Sequence, residues 1–186
     1  MMCIFLSSLL VIVCTLTTVT CDVEWTTPAR SEWSFECPNG RSLKLLQSAR
    51  DVANNDRLWT FGCGGNDSKI TNVTCEWSAY ANDFGQTFNY QCPNDGVITG
   101  MASYYAGTDR RYQFLCCFPT GYIAHACVFT PNINALGEFM NYRRPDYWYI
   151  RGYSSSESLY HQQFGMYDRM FTLNICKLDK LVPSKC

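Results

Sequence analysis

The chain lacks an excess of charge, a metal-binding cysteine pattern and, beyond its first 21 residues, a long apolar run. Its 15 basic and 16 acidic residues give a formal net charge of −1, which argues against a surface for nucleic acid. Imidazole comes only from His125 and His161, and no two cysteines have the Cys-x-x-Cys spacing of a zinc site. We therefore expect neither a bound metal nor a cofactor.

Catalytic motifs are absent as well. The sequence contains no Gly-x-Ser-x-Gly, His-Glu-x-x-His or paired-carboxylate pattern. His125, close to Cys127, is predicted to pack within the fold, and His161 in LYHQQFG is predicted to lie in a solvated loop. We therefore expect a protein that is not an enzyme. The chain also has no Arg-Gly-Asp integrin motif, because its Arg-Gly is followed by Tyr153.

The first 21 residues, MMCIFLSSLLVIVCTLTTVTC, carry no charge and change from apolar to small and polar near Thr17. This pattern predicts a secretory signal peptide over residues 1–21, cleaved after Cys21, with Thr20 as the competing position. A signal anchor is the alternative, but no later stretch approaches the ~20 apolar residues that span a bilayer. We expect residues 22–186 to form one domain, secreted to the extracellular space or matrix.

Cysteine is abundant, with 12 residues in the chain, and aromatic residues make up 15%. In an oxidising compartment such a cysteine content predicts a disulfide framework. The polar stretch after Cys63 holds two sequons, at Asn66 and Asn72, which predict N-glycosylation of a surface loop.

An internal repeat dominates the rest of the sequence. The segments DRLWTFGC, DRRYQFLCC and YDRMFTLNIC share Asp-Arg, an aromatic residue and a closing cysteine. Their spacing of about 50 to 60 residues lies in the range where a repeat determines the architecture. The first two units open alike, with FECPNG and FNYQCPNDG, whereas the third opens more loosely at EFMNYRRPDYWYIRGY.

Residue types inside the units indicate β-strands. The Pro-Asn-Gly and Asn-Asp-Gly turns precede short segments rich in β-formers such as VITGMASYY. We predict a single all-β, disulfide-rich domain of three pseudo-repeated units, each closed by an Asp-Arg-x-aromatic strand. The best helix candidate, SLKLLQSARDVANN, is equally compatible with a strand and a loop. Alternation predicts three inward stripes: Arg57, Trp59, Phe61 and Cys63; Arg110, Tyr112, Phe114 and Cys116; and Arg169, Phe171, Leu173 and Ile175.

The hairpin geometry constrains the disulfides. Cys37 and Cys63, at the open ends of the first unit, can meet, and Cys92 can reach the adjacent pair Cys116 and Cys117. Adjacent cysteines in a strand point to opposite faces, so one closes the hairpin and the other reaches Cys75. Cys176 aligns with Cys117 on an outer face and is predicted to pair with Cys127. Cys186 is then unpaired or bonded to a retained Cys21.

These repeated segments, from about Trp25 to Cys186, resemble the dermatopontin family, which includes invertebrate haemagglutinin and amebocyte aggregation factors. The resemblance implies a secreted, non-enzymatic adhesion protein rather than a catalyst. It also implies partners among collagen, proteoglycans, glycosaminoglycans and cell-surface receptors. Carried onto this chain, the family's disulfides pair Cys37 with Cys63, Cys75 with Cys116, Cys92 with Cys117, and Cys127 with Cys176.

The chain departs from the family in two places. The stretch FPTGYIAHAC lacks the cysteine that would pair with the residue matching Cys186, so Cys186 is a candidate for an intermolecular disulfide. The segment DVEWTTPARSEW lacks the tyrosine-rich acidic character of vertebrate members, which puts binding through sulfotyrosine in doubt.

Two sets of residues are candidates for a binding surface. Arg57, Arg110 and Arg169 either stack on neighbouring aromatic side chains as structural elements or gather on one rim that binds sulfate or carboxylate. The segment RRPDYWYIRGY combines cations with amphipathic aromatics, as contact surfaces do. Its predicted glycan- or proteoglycan-binding residues are Arg143, Arg144, Tyr147, Tyr149 and Arg151, with Trp148 and Ile150 facing inward.

Two functions are compatible with these observations. The first is a matrix adhesion protein that binds proteoglycan, collagen or receptors and organises the matrix. The second is a lectin-like haemagglutinin or cell-aggregation factor in invertebrate defence. Agglutination requires multivalency, which a dimer linked through Cys186 would supply.

Overall fold

A computed structural model describes residues 25–156, 159–161 and 166–182 of the chain. The predicted signal peptide, Cys186 and the side chain of His161 lie outside the described part. Within that part the protein is all-β, which confirms the predicted class, and its only helical element is a short 3-10 helix at Ser68–Ile70. Among these residues no helix has the length and apolar composition to cross a bilayer.

The described part of the chain contains thirteen strands, and the helix candidate, residues 42–55, comprises the second strand and the turn that follows it. They are β1 (Trp33–Glu36), β2 (Leu43–Asp51), β3 (Asp56–Cys63), β4 (Cys75–Trp77), β5 (Phe88–Gln91), β6 (Val97–Ala106), β7 (Asp109–Cys117), β8 (Tyr122–Phe129), β9 (Met140–Arg143), β10 (Tyr149–Ser155), β11 (Leu159–His161), β12 (Met166–Asp168) and β13 (Phe171–Lys180).

Three long antiparallel hairpins, β2–β3, β6–β7 and β10–β13, form the framework. Each contains a β-bulge near its open end, at Leu43/Leu45, Ile98/Gly100 and Ile150/Gly152. A bulge increases the local twist of a hairpin. The first two turns place Asn55 and Gly107 in the left-handed region, at φ 51° and 65°, where asparagine and glycine are the residues best tolerated.

Each hairpin receives its third strand from another part of the chain. Strand β1 pairs with β6, β5 with β10, and β9 with β2. Two sheets gain a fourth strand, giving the orders β1-β6-β7-β4 and β5-β10-β13-β8 beside the three-stranded β3-β2-β9. Because every unit donates a strand to the next hairpin, the three units form a closed cycle and none completes its sheet alone.

The three sheets share one aromatic core. Trp59, Tyr112 and Phe171, from β3, β7 and β13, meet edge to face with ring centroids 5.6 to 6.4 Å apart. Edge-to-face packing is a preferred geometry of aromatic pairs. The predicted inward stripes are thus buried except at Cys63, which is half-buried. Burial raises the pKa of the Tyr112 phenol above its ordinary value.

A ring of buried ion pairs lies beside this aromatic triangle, and each of its arginines precedes an aromatic of the triangle by two residues. The first two Asp-Arg pairs begin β3 and β7, whereas Asp168 ends β12 and Arg169 lies between β12 and β13. Each arginine of an Asp-Arg motif binds the aspartate of another motif through both carboxylate oxygens. The pairs are Arg57–Asp168, Arg110–Asp56 and Arg169–Asp109, with Nε–O distances of 2.6, 2.7 and 2.9 Å. We call these six residues the Asp-Arg ring.

Further hydrogen bonds saturate the ring. Each aspartate accepts a backbone N–H from the loop beside it, and each arginine donates to a loop carbonyl and contacts a serine hydroxyl of its own hairpin. The loop amides are those of Arg30, Gly85 and Gly137, at 2.7 to 2.8 Å. The loop carbonyls are those of Glu138, Ser31 and Gln86, and the serines are Ser48, Ser103 and Ser155.

The disulfides agree in part with expectation. Cys37–Cys63 and Cys127–Cys176 form as predicted, but the pairing that the family resemblance implied for the second unit is wrong: Cys75 bonds Cys117 and Cys92 bonds Cys116. The reason is the face of β7 on which each sulfur lies. Cys116 and Cys92 both belong to the core, whereas Cys117 is directly opposite Cys75 in the β4–β7 pairing.

The outer face of the two four-stranded sheets is not fully solvent-exposed near Cys176 and Cys117. Both cysteines are buried, at 0% and 5% exposure, although we expected an outer position for them. A second hydrophobic cluster, formed by Ile70, Val97, Tyr149 and Leu178, covers this end of the fold.

Substitution Asp168→Asn tests the energetic role of the ring. It leaves the Arg57 guanidinium buried without a counter-charge, and breaking a buried pair costs about 3–5 kcal/mol. We expect urea denaturation to show a loss of that size in the free energy of unfolding. Asp83→Asn is the control because Asp83 is 84% exposed in its pair with Arg111, and such surface pairs contribute about 0–1 kcal/mol. Equal, small losses in both variants would refute the role of the ring.

The disulfide assignment predicts which thiol each cysteine deletion releases. In Cys116→Ala, alkylation without reduction should label Cys92, and in Cys117→Ala it should label Cys75. Mass spectrometry of the labelled peptides locates the modification. The opposite assignment of labels would contradict the pairing.

Candidate functional site

The three motif arginines are engaged in the fold. Their side chains are 3% to 5% exposed, and their guanidinium groups already bind carboxylates, carbonyls and hydroxyls. A small cavity of about 30 Å³ is lined by the ring together with Asn55, Thr108 and Tyr167, which is room for about one water molecule. This arrangement favours the structural interpretation of the Asp-Arg motifs over an anion-binding rim.

The segment RRPDYWYIRGY borders an open cleft of about 230 Å³. One wall is the loop after Cys63, and the other is the turn between β9 and β10. The lining residues are Lys44, Gly64, Gly65, Asn66, Asp67, Arg144, Asp146, Tyr147 and Tyr149. We call this the 64–67/144–149 cleft.

Tyr147 is the most distinctive residue of this cleft. Its side chain is 83% exposed, and its backbone has φ 65°. A bulky residue in the left-handed region is an outlier that costs on the order of 1–3 kcal/mol and persists where the surroundings impose it. Such strain concentrates at ligand-binding sites, and here it holds an aromatic ring out in solvent at the edge of a polar cleft.

The polar groups of the cleft are held in place by one another. Lys44 pairs with Asp146, and this hydrogen bond lowers the pKa of the Asp146 carboxyl. The guanidinium of Arg144 donates to the carbonyls of Leu43 and Pro145, at 3.0 and 3.3 Å. Burial lowers the pKa of Arg144, although its group stays cationic because arginine starts far above neutral pH.

The floor of the cleft is formed by Tyr149, which is 3% exposed. Its hydroxyl donates to Asp67 and accepts from Lys69 at 3.3 Å, while Arg144 lies over its ring, 5.2 Å from the centroid. Burial, and then the hydrogen bond to Asp67, raise the pKa of the Tyr149 phenol above its ordinary value. Tyr149 is therefore a neutral hydrogen-bonded support and not a contact residue.

The recognition residues predicted in the segment RRPDYWYIRGY thus differ in exposure. Arg143 and Tyr147 are exposed, whereas Arg144 and Tyr149 are buried. Arg151 is half-buried and lies 3.6 Å from Asp95. Tyr149 does face away from the core residue Ile150, as alternation predicted, but the second hydrophobic cluster covers that face.

Several lining residues of the cleft were not predicted from the sequence. Lys44, Asp67 and Asp146 come from three separate segments, which the pairing of β2 with both β3 and β9 brings together. The sequon at Asn66 was the only sequence signal in the opposite wall. Both sequon asparagines are exposed, as surface sequons require. Across the described ranges no group of three or more His, Cys, Asp and Glu residues is arranged to hold a metal ion.

Comparisons with known proteins identify one matching family and several similar proteins. Residues 27–180 match the family described as Dermatopontin. The chain is 32% identical over 149 residues to Dermatopontin of Biomphalaria glabrata, covering 78% of this chain and 94% of that protein. It is 24% identical over 174 residues to the Hemagglutinin/amebocyte aggregation factor of Limulus polyphemus, covering 90% of this chain and 95% of that protein.

A third relative is longer than this chain. Millepora cytotoxin-1 of Millepora dichotoma is 30% identical over 148 residues, which cover 77% of this chain but only 62% of that protein. No solved structure matches the chain. The family match, at residues 27–180, includes the Asp-Arg ring, the four disulfides and both walls of the cleft. The chain belongs to the Dermatopontin family.

Proposed function

We propose that this protein is a secreted, non-enzymatic matrix adhesion protein of dermatopontin type that binds the glycosaminoglycan chains of proteoglycans at the 64–67/144–149 cleft. The proposal rests on Tyr147, whose side chain is 83% exposed beside a polar cleft and whose backbone is held in the left-handed region. Family membership supports an adhesion or lectin-like role, and the cleft adds a place for it. Collagen and cell-surface receptors are further partners that the family resemblance implies.

The chemistry of the cleft suits a glycan. The face of an exposed tyrosine ring can pack against the apolar face of a sugar, because both are flat and weakly polar. Asp67 and Asp146 offer carboxylate groups to sugar hydroxyls at the cleft. Arg143 does not line the cleft, but it is exposed at the end of β9, directly before the lining residue Arg144, and offers a guanidinium for sulfate or carboxylate.

The second candidate function is a lectin-like agglutinin. The observation that favours it is the similarity to the Limulus polyphemus protein, whose name includes hemagglutinin and amebocyte aggregation factor. Agglutination needs at least two binding sites per particle. A dimer joined through Cys186 would provide them from a single cleft per chain.

Substitution Tyr147→Gly tests the cleft without loss of the fold. Glycine adopts φ 65° readily, so the free energy of unfolding should rise by up to about 1 kcal/mol. Heparin affinity should fall about fivefold to tenfold, as removal of an aromatic contact of ~1–1.5 kcal/mol implies. Tyr104→Ala is the control, because Tyr104 is also exposed but lies on β6. Unchanged heparin affinity in Tyr147→Gly would exclude the cleft.

Substitution Arg143→Ala tests the charge of the proposed ligand. Affinity for heparin should fall at low salt, and the loss should shrink as salt screens exposed charges. Titrations of wild type and variant at two ionic strengths measure this dependence. A loss that is independent of salt would contradict an anionic ligand at this position.

The two candidate functions separate in paired assays. A matrix role predicts altered collagen fibril turbidity with or without reductant, whereas an agglutinin predicts red-cell agglutination that sugars inhibit and reduction abolishes. Electrophoresis with and without reductant shows whether chains are joined by a disulfide. A monomer that agglutinates cells would rule out a Cys186-linked dimer as the source of multivalency.

A further inference from the structure

A second concave surface lies on the outer face of the sheet β1-β6-β7-β4, away from the cleft. Two adjoining hollows, of about 590 and 430 Å³, are both lined by Trp77 of β4. Trp77 is 37% exposed although it lies within a strand. We call the combined depression the Trp77 groove.

Strand register explains the shape of the groove. Across the sheet, Ser34 lies opposite Ala102, and Ala102 lies opposite Gln113. In the next outward-facing row Gly100 lies between Glu36 and Leu115, and Leu115 is opposite Trp77. The small side chains at Gly100, Ala102 and Ser34 leave a depression in the outer face of the sheet. The larger Trp77 side chain borders this depression on one side. The floor is therefore open to a flat ligand lying along the strands.

The charge of the groove excludes polyanions. Glu32 and Glu36 line the β1 side, and no lysine is among the lining residues. The one cation, Arg41, donates from Nε to the Asn66 side chain at 2.9 Å. A sulfated or carboxylated chain would face two carboxylates here with only Arg41 to offset them, whereas the 64–67/144–149 cleft has both Lys44 and Arg144 beside its two carboxylates. The exposed indole, the Gln113 amide and the two carboxylates instead suit an uncharged ligand with many hydroxyl groups and an apolar face, which is the chemistry of a neutral sugar.

One end of the groove adjoins a glycosylation sequon. Asn39 and Val73 line the 430 Å³ hollow. The Asn39 side chain donates to Oδ1 of Asn72 at 2.6 Å and accepts the Asn72 backbone N–H at 2.9 Å. Asn72 itself is exposed. From Asn72 the chain runs directly to Trp77, five residues on, or about 16 Å at ~3.3 Å per residue, a span that several linked sugar rings cover.

We infer that the occupant of the Trp77 groove is this protein's own N-linked glycan, attached to Asn72. Attachment forms a bond from the Asn72 amide nitrogen to the first sugar, breaks the bond of that sugar to its lipid pyrophosphate donor, and releases one proton. The uncharged core sugars then lie along the outer face of the sheet, with one ring against the Trp77 indole. Covalent attachment raises the effective concentration of the sugar at the groove to about the millimolar range, so weak contacts suffice.

The inference is independent of the proposed function, because the groove and the 64–67/144–149 cleft use different walls. It assigns different roles to the two sequons. Asn66 lines the 64–67/144–149 cleft, whose aromatic residues are Tyr147 and Tyr149, and it is not among the residues that line the Trp77 groove. The Asn72 glycan covers the Trp77 indole, which would otherwise face solvent, whereas the Asn66 glycan starts from the cleft and makes no contact with Trp77.

Enzymatic release of the two glycans from the folded, secreted protein tests this inference. The protein is produced in a eukaryotic cell line, and site-resolved mass spectrometry follows release at Asn72 and Asn66 in the same sample. In Trp77→Ala, release at Asn72 should accelerate about fivefold or more, the factor that corresponds to loss of a ~1 kcal/mol contact. Release at Asn66 should stay within about twofold and serves as the internal control.

A second variant distinguishes loss of the sugar contact from a disturbance of β4 by the Trp77 substitution. Ala102→Gln keeps Trp77 but fills the groove floor, so it should also speed release at Asn72 and leave Asn66 unchanged. Three results would overturn the inference: an unmodified Asn72 in the secreted protein, equal release from Asn72 in wild type and both variants, or binding of an added oligosaccharide at Trp77 while the Asn72 glycan is intact.

Discussion

The fold depends on one constraint: six charged side chains that cannot be buried unless all three units are assembled. An isolated buried arginine or aspartate costs several kcal/mol, and pairing with good hydrogen bonds offsets that cost. In the Asp-Arg ring every pair joins two different units, so no unit can satisfy its own motif. The strand exchange also requires all three units, through backbone hydrogen bonds, because β1, β5 and β9 each pair with the hairpin of another unit. Side-chain ion pairs and backbone pairing therefore link the three units in the same cyclic order.

The two proposed binding surfaces lie outside this closed cycle. The interior is occupied by the aromatic triangle and the saturated ring, so the concave surfaces that are open to a ligand lie on the outer faces and at the connecting turns. The 64–67/144–149 cleft forms where β9 of the third unit pairs with β2 of the first. The Trp77 groove forms where β1 of the first unit extends the sheet of the second. Strand exchange thus creates both concave surfaces, and each combines residues that are distant in the sequence.

Alternation along the Asp-Arg strands identified the inward stripes, because a half-buried strand has a period of two that is visible in Arg57, Trp59 and Phe61. The same rule placed one of the adjacent cysteines on each face but did not select their partners, and the resemblance to the family selected the wrong ones. The ring was not predicted either, since its pairs join residues such as Arg57 and Asp168 across 111 positions. Alternation placed Tyr149 on the outer face correctly, and we therefore predicted it as a contact residue. Only the three-dimensional structure shows that the second hydrophobic cluster covers that face.

Native-state hydrogen exchange tests the central claim, the coupling of the three units through the Asp-Arg ring, most directly. Slowly exchanging amides of β3, β7 and β13 should report one common opening free energy in the wild-type protein. Replacement of Arg110 by leucine, in the second unit, should lower that free energy equally in all three strands, because the ring opens as a whole. Loss of protection could instead be confined to β7 and to β3, which carries Asp56, the ion-pair partner of Arg110, with β13 unchanged. That result would show that the three ion pairs act independently and would contradict the account.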